Sequence, residues 1–189
     1  IYVSCPNQIA PRFNVRPLSS SKSLGRSVDQ NGHIPLNFRI FQNLRRKYFE
    51  FGTLAALDLF RQHSVQLAIL EVGLGGRLDA VNILDADISL ITSIDIDHQE
   101  WLGNNRESIG REKAGIFRNL APAICSEPNP PQSLLDCSEA LGTPISILGS
   151  DYQFNLINDT WSWSTKDTRI ERLPRPMKYC DFQIQNASG

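Results

Sequence analysis

Two short apolar runs, each cut off abruptly by polar or glycine residues, most restrict what this chain can fold into. Val65–Val72 reads VQLAILEV and stops at Gly73, Gly75 and Gly76, and Ile88–Ile94 reads ISLITSI and stops at Asp95. A nearly continuous apolar run of that length is the form of a strand buried on both faces. Ala121–Cys125 and Pro144–Leu148 are two further short candidates of the same kind. Between them lie helical patterns. Phe51, Leu54, Ala55, Leu57 and Phe60 give a helix from Tyr48 to about His63. Asn104 or Asn105 can cap a second through Phe117, with Ile109, Ile116 and Phe117 inward. Pro131 suits the first turn of a third, which Gly142 stops. Strands alternating with helices predict an α/β fold, an open doubly wound parallel sheet. After Gly149 the period becomes two: Tyr152, Phe154 and Leu156, then Asn158-Asp159, then Trp161 and Trp163. This predicts a small antiparallel hairpin extension near 152–164. Residues 1–45, broken by Pro6, Pro11, Pro17 and Pro35, predict a poorly ordered segment, irregular over 18–45, in which Ile1–Ser4 could be a strand end. The expected organisation is therefore 1–45, a central α/β domain over 46–150, and a hairpin with a truncated tail over 151–189.

Composition removes several function classes. The 189 residues carry 19 basic and 20 acidic side chains, a formal net charge of −1. No basic run exceeds Arg45-Arg46-Lys47, so no nucleic-acid partner is expected. The apolar runs are far short of the roughly 20 residues that span a bilayer, and no signal peptide is visible at the start, so no membrane partner is expected either. Four cysteines without CxxC spacing argue against a disulfide framework or a zinc site and for a reducing, cytoplasmic setting.

In open α/β sheets ligands bind beyond the carboxyl ends of the strands. Here those ends hold Glu71 to Asn82 and Ser93 to Gly103, with Arg111 to Ile116 following. The glycine turn fails the G-x-G-x-x-G dinucleotide fingerprint, because Leu78 stands at its last position. It is either a tight turn or a loop that offers N–H groups and Asp79 to a ligand. Glu71 is a carboxylate in an apolar run, costly unless paired, metal-bound or on a solvent-facing edge. His98 beside Asp95 and Asp97 suits a hard divalent cation better than structural zinc. Lys113, by spacing alone, is a solvated helix lysine.

Read together, E-V-G-L-G-G-R-L-D-A-V-N (Glu71–Asn82), D-H-Q-E-W-L-G (Asp97–Gly103) and R-E-K-A-G-I (Arg111–Ile116) resemble the ordered signature of folylpolyglutamate synthases and bifunctional dihydrofolate synthases. These belong to the Mur ligase superfamily, whose central domain is P-loop NTPase-like. The resemblance runs from about Tyr48 to Pro176. It implies an ATP-dependent ligase that adds L-glutamate to dihydropteroate or folate through an acyl phosphate, with two Mg2+ ions and a monomeric enzyme. By motif, Glu71 and His98 would be metal ligands, with His98 in the catalytic machinery. Lys113 would be catalytic and would ligate metal after reacting with CO2 to form a carbamate. Arg77, Asp79 and Asn82 would bind substrate. Another Mur-type ligase, acting on a peptidoglycan precursor, and a non-catalytic remnant are the alternatives.

The departures are specific. The family's G-T-N-G-K-G-S phosphate loop and its C-terminal domain have no counterpart in the sequence. Tyr2-Val-Ser4-Cys5-Pro6-Asn7 resembles Y-S-S-P-H, which puts Cys5, a poor ligand for hard metals, at the family's metal-binding serine. Arg12-Phe13-Asn14-Val15-Arg16 resembles R-F-N-E-R, and Val81 replaces the usual Thr. After Met177 the match decays to Asn186-Ala187. The expectation is a central-domain fragment, inactive alone, whose chain stops without a helix to close the sheet.

Overall fold

The computed structural model describes residues 2–4, 48–96, 99–176 and 181–189. The expected irregular stretch 18–45 lies outside the described residues, as do Cys5, Asp97 and His98.

Five strands form the main sheet: β1 (Tyr2–Ser4), β2 (Ala68–Leu70), β3 (Ile88–Ile91), β4 (Ala123–Cys125) and β5 (Ile145–Ile147), in the order β2-β1-β3-β4-β5. β3, β4 and β5 are parallel, as the alternation of strands and helices predicts. β1 differs. It pairs antiparallel with both β2 and β3, and this leaves β2 on the sheet edge. The expected parallel neighbourhood of the two apolar runs is thereby corrected, because β1 is inserted between them. The same insertion keeps β2 and β3 pointing the same way, so their carboxyl ends still meet at one end of the sheet. The edge position also explains why the first run is not buried on both faces, with Leu67 47% and Ile69 63% exposed.

Three longer helices fall where the apolar spacing puts them: α1 (Tyr48–Gln62), α3 (Arg106–Ala114) and α4 (Gln132–Leu141). A single short turn, α2 (Gln99–Leu102), precedes α3. Asn105 is the N-cap of α3; its Oδ1 accepts the Ser108 N–H at 2.8 Å, satisfying a donor that the first turn cannot. Gly142 ends α4 at φ 63°, the left-handed conformation that favours glycine. The exposed Glu107 of α3 accepts the N–H groups of Gln132 and Ser133 at 3.2 and 2.8 Å, which caps α4 from outside. These bonds hold the Glu107 carboxyl below its ordinary pKa. α3 and α4 approach closely at Gly110, where a Cβ would meet the Pro131 ring.

The core lies between this helical layer and the sheet, around Ile91, Ile109, Ile116, Phe117, Cys125 and Leu134. Full burial of a side chain such as Ile109 or Leu134 stabilises the fold by roughly 1.5–3 kcal/mol. Cys125 belongs to that core, and burial pushes its thiol pKa up to about 11, so it packs rather than reacts.

The hairpin after Gly149 forms as β6 (Tyr152–Ile157) and β7 (Thr160–Thr165), joined at Asn158-Asp159 with Asn158 at φ 52°. Two elements beyond it were not expected. β8 (Arg169–Pro174) adds a third antiparallel strand, almost wholly exposed and therefore without an apolar signature in its sequence. Helix α5 (Asp181–Ser188) corrects the reading of a tail without a helix to close the sheet. Ile184 is buried, Gln185 Nε2 donates to the Ser126 carbonyl at 2.6 Å, and Trp163 Nε1 donates to the Ser188 carbonyl at 2.9 Å. α5 thus sits between the two sheets, anchored to both.

Candidate active site

The carboxyl ends of β2 and β3 open on a cavity of about 370 Å³. One wall is the chain leaving β2, Glu71 to Gly75; another is the end of β3 with Thr92, Ser93 and Asp95. α3 closes the third side with Ile109 and Lys113, and α5 contributes Asn186. Glu71 and Lys113, taken from separate motifs, therefore face one space. Glu71 is exposed, as its place beyond an edge strand allows. Asp95 is exposed too, and its Oδ1 accepts the Ile96 N–H at 2.7 Å. Lys113 is half-buried, and burial lowers its pKa because the charged ammonium loses hydration.

The glycine turn lines the cavity with Gly73, Leu74 and Gly75, and two of its N–H groups are held from within the loop. Asp79 Oδ2 accepts the Gly73 and Leu74 N–H groups at 2.9 and 3.1 Å, while its Oδ1 caps the 3-10 turn Ala80–Ile83 through the Val81 N–H at 3.0 Å. Asp79 organises the turn from within. Asn82 Nδ2 donates to the carbonyls of Arg77 and Gly115 at 3.1 and 3.0 Å, so it joins the first motif to the third. Arg77 pairs with Glu112 of the third motif, Nε to Oε1 at 3.0 Å. None of Arg77, Asp79 and Asn82 lines the cavity, and all three hold the loop in place. Val81 is buried in the core, which accounts for an apolar side chain there.

Motif glycines fit the same pattern. A Cβ on Gly76 would lie 2.9 Å from the Glu112 carbonyl oxygen and 3.0 Å from that of Lys113. A Cβ on Gly115 would strike Arg77. The first and third motifs therefore need glycine wherever backbone meets backbone, independent of any phosphate.

Among the described residues no three His, Cys, Asp or Glu side chains converge on a possible metal position. Two carboxylates, Glu71 and Asp95, do share the cavity, and oxygen donors of this type fit a hard divalent cation such as magnesium or manganese.

No protein-family model matches the chain. Individual proteins do. The Haemophilus influenzae dihydrofolate synthase/folylpolyglutamate synthase is 48% identical over 141 residues, 75% of this chain and 31% of the relative. The structure of Escherichia coli FolC in complex with DHPP and ADP superposes with a TM-score of 0.69 at 46% identity, over 76% of this chain and 35% of that one. A bifunctional folylpolyglutamate synthase/dihydrofolate synthase with Mn, AMPPNP and L-glutamate bound gives 0.68 at 46% identity, over 77% of this chain and 34% of that one. The chain belongs to the dihydrofolate synthase/folylpolyglutamate synthase family. It spans about a third of the length of the curated relatives it matches.

Family membership leaves the position of His98 open, since that residue lies outside the described ones. It also directs attention to residues that the motifs did not reveal. Asn186 enters the cavity from a helix more than 70 positions downstream of Lys113, and only the docking of α5 brings it there. The sequence signal existed, in the Asn186-Ala187 remnant of the family match, but it had no spacing relation to the other motifs. Arg118 gave no signal at all. Its buried guanidinium pairs with Asp85 and donates to the carbonyls of Ile116, Phe117, Asn82 and Leu84 and to Asn82 Oδ1.

Proposed function

We propose that this chain supplies the central part of an ATP-dependent carboxylate–amine ligase that joins L-glutamate to dihydropteroate, folate or both. The observation that carries the reading is the shared cavity of Glu71 and Lys113 at the carboxyl ends of β2 and β3. Relatives whose structures hold ADP with DHPP, or AMPPNP with Mn and L-glutamate, support it.

The chemistry has two steps. A substrate carboxylate oxygen attacks the γ-phosphorus of ATP, ADP departs, and an acyl phosphate remains. The glutamate amine then attacks the acyl carbon, loses a proton, and expels phosphate to leave an amide. Both steps gather negative charge in a small volume, and divalent ions held there would offset it. Glu71 and Asp95 are the described residues that would hold such an ion. Lys113 answers the remaining need. Burial lowers its pKa and so favours the neutral amine, which can add to CO2 with loss of a proton to water; the carbamate would be an anionic oxygen ligand on a long stem. Two Mg2+ ions, His98 as a further ligand and a monomeric cytoplasmic enzyme complete the reading.

The test is a chimera in which residues 48–176 replace the matching stretch of the Escherichia coli relative. It should form amide product dependent on ATP, glutamate and a pterin substrate, and Lys113→Ala should reduce turnover by at least 100-fold, an order of magnitude set by loss of charge stabilisation at the transferring phosphoryl group. A folded chimera without turnover, or one in which Lys113→Ala changes nothing, would refute the reading.

A further inference from the structure

The contact between Arg77 and Glu112 has features that neither a surface salt bridge nor a substrate-binding arginine requires. Arg77 grips Glu112 twice. Its backbone N–H donates to the Glu112 carbonyl at 3.0 Å, and its Nε donates to Oε1 and Oε2 of the same residue at 3.0 and 3.3 Å. The Glu112 carbonyl lies in the last turn of α3, where it also accepts the Gly115 N–H at 3.3 Å, so Arg77 joins the capped end of the helix. A guanidinium at that end also complements the helix dipole. Immediately beside the grip, Gly76 lies so close to the Glu112–Lys113 peptide that no side chain would fit, and Gly115 is equally tight against Arg77. Asn82 then bridges the carbonyls of Arg77 and Gly115. The loop and the helix end are locked in rotation as well as in distance.

Lys113 is the residue next to Glu112, and successive helical residues point about 100° apart. Fixing Glu112 toward the loop therefore fixes Lys113 toward the cavity. We propose that Arg77 and Glu112 form a latch that positions Lys113: the pair sets the rotation of the last turn of α3, so that the Lys113 amine faces the cavity shared with Glu71. Arg77 is thus a positioning residue rather than one that contacts substrate. The functional weight of this latch rests on the proposed role of Lys113, but the positioning itself is independent of that role. The charged groups facing the amine from the cavity walls are Glu71 and Asp95; Arg77 and Glu112 lie outside the lining.

The experiment uses the 189-residue chain with its lysines reductively methylated with 13C-formaldehyde, Lys113 being assigned by its loss in Lys113→Arg. Dimethyl-lysine cannot form a carbamate, so the outcome does not depend on the CO2 chemistry. A neutral gadolinium chelate broadens methyl signals in proportion to their exposure, and Lys166, whose side chain is 89% exposed, sets the upper reference. In the unaltered chain, Lys113 should broaden several-fold less than Lys166. Arg77→Ala, Glu112→Gln and Arg77→Lys should each raise the Lys113 value several-fold, with circular dichroism unchanged. Arg77→Lys keeps the charge but loses the Nε–H donor that makes the contact, so it separates geometry from charge. The double variant Arg77→Ala/Glu112→Gln should add nothing beyond Arg77→Ala, because both changes act on the same side-chain contact. Unchanged Lys113 broadening in all three single variants would overturn the latch. So would opposite changes in Arg77→Ala and Glu112→Gln, which would mark a simple charge effect. Lys113 broadening equal to that of Lys166 in the unaltered chain would overturn it as well.

Discussion

Lys113 combines two properties seldom found together on a helix: half-burial, and a cavity lined by carboxylates of other elements. Burial disfavours the ammonium, so the folded pKa lies below the ordinary value of 10.5. The linkage follows from that direction. Between the folded and unfolded pKa values the unfolded chain binds more protons than the folded one, so stability rises with pH across that window. Below the folded pKa the cost of a buried charge is fully present. Lys113→Met should therefore stabilise the chain at neutral pH and flatten the alkaline rise, measured as melting temperature against pH. The same lowered pKa enlarges the neutral fraction that reacts with CO2. In 13C-bicarbonate the native chain should show a carbamate resonance that Lys113→Arg lacks. A resonance that persists in Lys113→Arg would assign the carbamate to another amine.

At the scale of elements, the site depends on how the loop after β2 is held against the end of α3, and Arg118 is the hub of that joint. It is 8% exposed, its guanidinium is surrounded by carbonyls and the Asp85 carboxylate, and its own carbonyl accepts from Thr143 Oγ1 at 2.8 Å. A buried arginine is tolerated only when its donors are satisfied, and removing it takes a donor from the Ile116 and Phe117 carbonyls. Arg118→Ala should cost about 1–3 kcal/mol in urea unfolding, the range for leaving buried acceptors without their donor. Arg118→Lys should recover only part of that, because an ammonium cannot reproduce the planar fork. A loss below about 1 kcal/mol, as for exposed pairs, would show that the joint is held by its other contacts.

For the whole molecule, α5 is the element that unites the two sheets. Ser126 is wholly buried at the end of β4. Its carbonyl accepts from Gln185, and its hydroxyl lies 3.1 Å from the Tyr152 hydroxyl, which donates to the Cys125 carbonyl at 3.2 Å. Trp163, tilted against Tyr152 with ring centroids 6.2 Å apart, completes the connection to Ser188. Removing residues 181–189 should expose this network to water and cost at least the roughly 1.5–3 kcal/mol of burying Ile184. The measurement is urea unfolding followed by tryptophan fluorescence, with a red shift of the folded baseline as Trp163 loses its acceptor. A truncated chain with unaltered midpoint and spectrum would show that α5 docks without contributing.

The sequence by itself determined the alternation of strands and helices, a cap at Asn104 or Asn105 and one at Gly142, the Asn158-Asp159 turn and the motifs that name the family. Each of these is encoded within a few residues, by apolar period, by a side chain reaching its own backbone, or by a glycine where φ must be positive. Tertiary structure decided the rest. An apolar run looks the same whether its neighbour is parallel or antiparallel, so the place of β1 between β2 and β3 was not legible in Val65–Val72. β8 carries little buried surface and so left no pattern to read. The partners of Asp79, Arg77 and Asn82 were equally hidden, because a carboxylate or guanidinium in a loop has the same sequence whether it meets a ligand or its own chain. The cavity joins Glu71, Lys113 and Asn186 across long stretches of sequence, and only packing brings them together. Residue types reveal what chemistry is available, but the distance between two side chains is set by every element packed between them.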